Sequence, residues 1–229
     1  SKMFHVPIEE VTKGSTLRQK GKVAELALGY QGGVGALKQM RADKMGLADD
    51  ELTDIVTKWR KASPKIVQFW WDVEAAAKEA IGKRTTVQYR HGIAFQFEAG
   101  MLFIRLPSGR RIAYAKPRLE DNSMGRTSIT YLGVNQNNKS WCRLETYGGK
   151  LVENIVQATA RDCLAEAMLK LDAAGYKILM HVHDEVIIEA EPVAGELERV
   201  IKIMSENVSW NRGLKLDADG YTTPYYRKD

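Results

Sequence analysis

Cysteine is nearly absent from this 229-residue chain. Cys142 and Cys163 stand twenty-one positions apart, with no histidines at zinc spacing. That supports neither a disulfide framework nor a structural metal site, and predicts two buried thiols. Proline is also scarce, at six residues, and there is no internal repeat or low-complexity linker. Collagen-like, solenoid and Pro-rich architectures are thereby excluded. No apolar run approaches the roughly 18 to 20 residues that span a bilayer, and the opening SKMFHVPIEE has no apolar core of the signal-peptide kind. The expectation is a cytoplasmic chain with no membrane partner. What is present is ordinary for a folded protein: 44% hydrophobic and 28% charged residues, which argues against disorder.

The net charge of +5 says little alone, but its distribution says more. From Met101 to Leu119 there are five basic residues (Arg105, Arg110, Arg111, Lys116, Arg118) and no acidic one. From Asp184 to Glu206 there are seven acidic residues against Arg199 and Lys202. The first kind of surface holds phosphates and the second divalent cations, so together they suggest metal-assisted phosphate chemistry. A solvated charged face is the competing reading of each.

The first half reads as helical. Ser15 or Thr16 caps a helix to Leu28 that stops at Gly29 to Gly33. Further helices are predicted over Val34 to Lys44, closed by Gly46, then from a cap at Asp49 or Asp50 to just before Pro64, and over Lys65 to Ile81, ending at Gly82. Short strands follow at Thr85 to Tyr89, Ile93 to Phe97 and Met101 to Leu106, then a turn at Pro107-Ser108-Gly109. Arg126 to Tyr131 and Ser140 to Glu145 form a predicted hairpin, and Leu151 to Ala174 a long helix. A second hairpin, Lys177 to Val182 and Val186 to Glu189, turns at His183-Asp184-Glu185. A helix over Val193 to Val208 and a strand at Leu214 to Asp217 complete an α+β reading.

Three constellations carry chemistry. Arg18, Lys22, Leu26 and Tyr30 recur every fourth residue, which lines two cations, an apolar side chain and an aromatic on one helix face. Such a stripe can grip a triphosphate while Leu26 and Tyr30 press on sugar and base; an exposed basic face continuous with Lys13 and Lys20 is the alternative. No strand precedes Gly29, Gly32, Gly33 and Gly35, so they form no dinucleotide-binding fingerprint, and their expected role is to let Tyr30 pivot. At the second hairpin, Asp184 and Glu185 supply hard oxygen ligands suited to Mg²⁺. A zinc reading of His181 and His183 lacks further ligands to complete four. On the long helix, the amides of Asn154 and Gln157 suit minor-groove edges of base pairs, or else capping and core hydrogen bonds.

In this order the motifs resemble family A (DNA polymerase I-like) DNA polymerases. Arg18-Gln-Lys-Gly-Lys22-Val-Ala-Glu-Leu26-Ala-Leu-Gly-Tyr30 is similar to motif B on the fingers, and His183-Asp184-Glu185 to motif C of the palm. Gly109-Arg110-Arg111 resembles the family's basic turn, and Gln157 falls at the glutamine of the helix before motif C. Leu-Gly-Tyr-Gln-Gly-Gly, Thr-Tyr-Gly-Gly-Lys-Leu and Asp-Gly-Tyr-Thr-Thr-Pro-Tyr-Tyr are similar to phage and prophage polymerases.

The resemblance implies a helical fingers subdomain over 1–105, with a short β segment near 84–106, followed by the antiparallel-sheet palm, with packing helices, over 106–229. It implies that Arg18 and Lys22 bind the triphosphate of a dNTP, with Lys22 also assisting the leaving pyrophosphate. Tyr30 stacks at the nascent base pair, and Asp184 holds two Mg²⁺ ions, with Glu185 and His183 beside the primer terminus. Arg110, Arg111, Gln157 and Asn154 track primer-template DNA in a bacterial or phage-infected cell. Leu26 stands where many relatives have Phe or Tyr, and Asn154 lies three residues before Gln157 rather than four. Motif A, with the other metal-binding aspartate, is expected before residue 1, in an upstream palm and thumb segment. The chain is therefore expected to be an excised fragment or split subunit, inactive alone. The alternative is a non-catalytic nucleic-acid-binding or assembly module.

Overall fold

The computed structural model describes residues 6–12, 14–41, 48–122 and 125–227. It bears out the α+β class: the described residues hold six α-helices, a six-stranded sheet in the order β1 to β6, and a two-stranded sheet. They fall into two compact units. One comprises the chain up to Gln88 with Ala94–Ile104 and Ala113–Asn154, the other Tyr89–Ile93, Arg105–Ile112 and the chain from Ile155.

In the first unit, α1 (Thr16–Leu28) starts because Ser15 is extended and its Oγ accepts the Arg18 N–H at 3.2 Å, satisfying a donor that has no intrahelical partner. Val23, Ala24, Ala27 and Leu28 are its buried residues. Helix α2 (Val34–Gln39) ends earlier than the expected Lys44; Lys44 and Gly46 lie outside the described residues. Neither Asp49 nor Asp50 caps α3 (Asp49–Ala62). Ala48 does, and both aspartates sit in the first turn, where carboxylates meet the positive end of the helix dipole. The Glu51 carboxylate accepts the Ala48 N–H at 2.8 Å. Helix α4 (Pro64–Lys83) opens on Pro64, whose missing N–H costs nothing at that position. It continues through Gly82, the expected end, to a left-handed Arg84 (φ 52°).

Two tryptophans bind these helices together. Trp59 and Trp70 are almost wholly buried and stack with centroids 5.8 Å apart and planes 6° from parallel. Each indole N–H has a partner on the last turn of α1 or just beyond it: Trp59 donates to the Glu25 carboxylate at 3.0 Å and Trp70 to the Gly29 carbonyl at 2.9 Å. Losing either would leave a buried donor unmet.

The sheet runs β1 (Thr86–Gln88), β2 (Ala94–Glu98), β3 (Met101–Arg105), β4 (Arg111–Asp121), β5 (Thr127–Val134) and β6 (Trp141–Thr146). Ala99 and Gly100 both have positive φ, as a tight two-residue hairpin between β2 and β3 requires. Phe95, Leu102, Ile104 and Ile129 are buried, and α4 packs on β1 and β2. Strand β4 is a finding the sequence pattern did not predict. Its middle holds Pro117, which has no N–H for the ladder, and the β4–β5 register shifts between Ala115 and Arg118. Lys116 takes a positive φ of 45° in this bulge, and its N–H donates to Gly100 instead.

Helix α5 (Gly148–Ala173) begins in the first unit and continues in the second. There Ile155, Leu164, Ala167 and Leu171 are buried, as are Ile93, Leu106 and Tyr176. Strands β7 (Lys177–Val182) and β8 (Glu185–Glu189) form an antiparallel hairpin with Val182 opposite Glu185, so the turn is His183-Asp184 rather than three residues. Helix α6 spans Glu196–Met204, shorter than Val193 to Val208, because the left-handed Gly195 (φ 83°) precedes it and Ser205 closes it. No strand forms at Leu214–Asp217. That segment is largely exposed and gains no ladder partner among the described residues. Cys142 and Cys163 are free but only half-buried, contrary to the expectation of buried thiols.

Candidate functional site

Three of the four stripe residues, Arg18, Lys22 and Leu26, lie on α1; Tyr30 falls in the turn past the helix end at Leu28, so it is not on the helix face that the spacing predicts. Arg18, Lys22 and Leu26 are exposed, Leu26 at 53%, while Val23, Ala24, Ala27 and Leu28 are buried. Each four-residue step rises about 6 Å along the axis, comparable with the reach of a triphosphate. A leucine left half in water beside two cations is a surface able to take an apolar sugar or base face. Of the other two cations in the alternative basic face, Lys20 is half-buried and Lys13 lies outside the described residues.

Tyr30 is half-buried, and its carbonyl lies close against Gly149 at the start of α5. The Gly149 N–H donates to the Gln31 side-chain oxygen at 2.8 Å, and the Gly148 N–H to Glu74 at 2.9 Å. These bonds satisfy two of the four donors a helix start leaves open. A Cβ on Gly149 would stand 2.3 Å from the Tyr30 carbonyl oxygen, and one on Gly148 2.1 Å from that of Trp70. Gly32 is equally confined, since its Cβ would lie 2.0 Å from the Ala27 oxygen. Gly32 is therefore explained by close packing rather than by the pivoting of Tyr30. Gly33 and Gly35 have open space around them. The Gly148-Gly149 pair, which the sequence marks only within the Thr-Tyr-Gly-Gly-Lys-Leu resemblance, packs closely against the backbone of Tyr30 and Trp70.

Asn154, also in the first unit, does not present its amide freely. Its Nδ2 donates to the Tyr114 hydroxyl at 2.7 Å. Tyr114 is buried, packs edge-on to Tyr131 at 5.0 Å, and burial pushes its hydroxyl up to about 12 despite that hydrogen bond.

In the second unit the basic turn has a built anchor. Gly109 (φ 90°) closes a turn in which the Leu106 N–H donates to the Arg110 carbonyl at 2.8 Å. The Arg110 guanidinium meets the buried Asp162 carboxylate at 2.6 Å and the Ala158 carbonyl at 2.8 Å. The Ser108 hydroxyl donates to the other Asp162 oxygen at 2.5 Å. The charge of Arg110 is thus partly balanced, while Arg111 stands exposed at the start of β4. Gln157 is exposed on α5, one turn from Arg161, whose guanidinium lies 3.4 Å from the His181 ring nitrogen on β7. Sequence reasoning missed Asp162 and Arg161; an acid on a largely apolar helix is the signal that could have found Asp162.

His183, Asp184 and Glu185 are exposed at the β7–β8 turn, His183 with a positive φ of 54°. Asp184 and Glu185 offer hard oxygen donors, which fit Mg²⁺, an ion that is held by one or two carboxylates with waters and phosphates. Among the described residues no three His, Cys, Asp or Glu side chains gather to hold a metal, at His181 and His183 or at Asp184 and Glu185. No described helix is long and apolar enough to cross a membrane.

These features define a mixed α+β chain that displays a basic, apolar-tipped helix face, an anchored Gly-Arg-Arg turn and carboxylates at a hairpin apex. Over an alignment of 230 positions that covers its whole length, the chain is 59% identical to the DNA polymerase of Bacillus phage SP02. It spans 35% of that relative's length, about a third. No family model and no solved structure matches the chain.

Proposed function

We propose that the chain is the fingers and C-terminal palm portion of a phage-type, family A DNA polymerase, with 1–105 as fingers and 106–229 as palm. The observation that carries this reading is the 59% identity to a phage DNA polymerase across the full chain. The outward α1 stripe supports it in geometry.

In this reading Arg18 and Lys22 pair with triphosphate oxygens of an incoming dNTP, each a charge-assisted contact worth about 1.5–3 kcal/mol. Leu26 packs on the sugar, and Tyr30, whose carbonyl lies close against Gly149, stacks at the nascent base pair. Asp184 holds Mg²⁺, with Glu185 and His183 at the primer terminus. When bound, Mg²⁺ neutralises phosphate charge and lowers the pKa of the attacking 3′-hydroxyl in a two-metal arrangement. The second aspartate comes from motif A on an upstream palm and thumb segment. Lys22, as a cation beside the leaving group, stabilises the pyrophosphate or protonates it. Arg111 and Gln157 contact primer-template DNA, while Arg110 shapes the turn that presents Arg111.

Titration of a fluorescent dNTP into the chain with primer-template DNA tests the reading. Lys22→Ala should weaken nucleotide binding about tenfold or more and change DNA binding less than twofold. Equal losses of both would reduce the stripe to a general basic surface.

A further inference from the structure

The sheet of the first unit has a solvent face that the proposed reaction does not use. The register places Trp141 opposite Val134, Arg143 opposite Leu132 and Arg118 opposite Thr130, so these side chains share one face of β4, β5 and β6. Trp141 is 63% exposed and Val134 44% exposed, at the end of β6, the edge strand. An indole this open on a strand is unusual, because the residue buries more apolar area than any other when it can.

The cations around it are not neutralised in equal measure. The Arg143 guanidinium donates to two uncharged acceptors, the Thr130 hydroxyl at 3.0 Å and the Lys116 carbonyl at 3.3 Å. These bonds fix its plane on the sheet and leave its charge in place. Lys116 is exposed in the bulge, with positive φ, and Lys139 lies in the β5–β6 turn, where its closest described partner is the neutral Gln136 at 3.4 Å. The two acids on this face, Glu120 and Glu145, accept the hydroxyls of Thr130 and Ser128. Arg118 reaches Glu120 only at 3.7 Å. On the face itself Arg118 and Arg143 are matched by Glu120 and Glu145, and the exposed Lys116 and Lys139, in the adjoining bulge and turn, give the neighbourhood of the open indole its excess of positive charge.

We propose that this sheet face binds single-stranded DNA, with Trp141 stacking on a base and Arg143, Arg118 and Lys116 lying along the phosphates. Exposed aromatics interleaved with cations on a sheet bind single strands in this way, since every base has a π face to stack. The proposal rests on the DNA polymerase reading above, and gives the chain a second DNA contact, for the unpaired part of a template.

Anisotropy titrations of the full chain with a fluorescent oligo-dT and with a blunt hairpin duplex, at several salt concentrations, test it. Trp141→Ala should weaken oligo-dT binding about five- to a hundredfold, with duplex binding within twofold. Trp141→Phe should retain most of the single-strand affinity. Arg143→Gln should lower the slope of log affinity against log salt for oligo-dT by about 0.7. Undiminished oligo-dT binding by Trp141→Ala overturns the proposal and leaves the face to a protein contact. A wild-type chain that binds the duplex but not oligo-dT overturns it while sparing the polymerase reading. Binding of neither probe overturns both.

Discussion

Replacing Gly149 by alanine probes the close packing of α5 against Tyr30. The new Cβ would lie 2.3 Å from the Tyr30 oxygen, 2.7 Å from its carbonyl carbon and 2.4 Å from Gln31 Cβ. Two of these atoms are backbone, so no rotamer change relieves the clash, and the chain must shift. Overpacking of this kind costs about 1–3 kcal/mol. The shift also strains the 2.8 Å bond from the Gly149 N–H to Gln31, worth about 1 kcal/mol. Alanine returns up to about 1 kcal/mol through helix propensity, less at a first turn. The net loss is about 2 kcal/mol, which for a chain of this size lowers Tm by about 4–8 °C. Calorimetry of the variant beside Gly33→Ala, whose Cβ meets nothing within 4 Å, isolates the clash from a general effect of alanine. Because Tyr30 moves, nucleotide binding should weaken as well while duplex binding holds. A Gly149→Ala chain with wild-type Tm and nucleotide affinity would refute the close-approach argument.

Three further outcomes follow from named contacts. Asp162→Ala removes the partner of Arg110 and Ser108 and should cost about 2 kcal/mol in urea unfolding, below the full loss for a buried pair because the Arg110 side chain is 47% exposed. Arg110→Gln should likewise destabilise, whereas Arg111→Gln should destabilise less and flatten the salt dependence of DNA binding by about one unit of slope. Tyr114 has a hydroxyl pushed up from 10.0 to about 12 by burial. The neutral form is favoured on folding, so its contribution, about 2–3 kcal/mol, is fully present below pH 10 and lost as pH rises from 10 to 12. Ultraviolet titration of tyrosinate should show a late-titrating component near pH 12 that Tyr114→Phe removes, beside Tyr176, whose hydroxyl is also pushed up; an unchanged titration curve in that variant would contradict the assignment.

Local chemistry made part of this structure readable. The Ser15 cap, the Arg18, Lys22 and Leu26 face of α1 and the two hairpins act over a few residues and appear where the sequence placed them, although Tyr30 falls past the helix end and the second hairpin turns on two residues rather than three. Strand β4 escaped because its charges and Pro117 break alternation; its pairing depends on a bulge that only the neighbouring strands define. The strand expected at Leu214–Asp217 had a suitable pattern but found no partner. At the candidate site, the legible part was residue type. The illegible part was long-range: Gly149 against Tyr30, Asp162 against Arg110 and Asn154 against Tyr114 join residues far apart in sequence. The first of these gives Gly148-Gly149 a steric reason that no turn or cap motif supplies.

The central claim is that this chain supplies polymerase fingers and a metal-binding palm carboxylate. Its most direct test substitutes these residues for the matching stretch of the Bacillus phage SP02 DNA polymerase and measures Mg²⁺-dependent extension of a primer on a template. The chimera should add nucleotides, and Asp184→Ala within it should lower the rate by at least about a thousandfold, the several kcal/mol a catalytic metal contributes. A chimera whose extension is undiminished by Asp184→Ala would contradict the account.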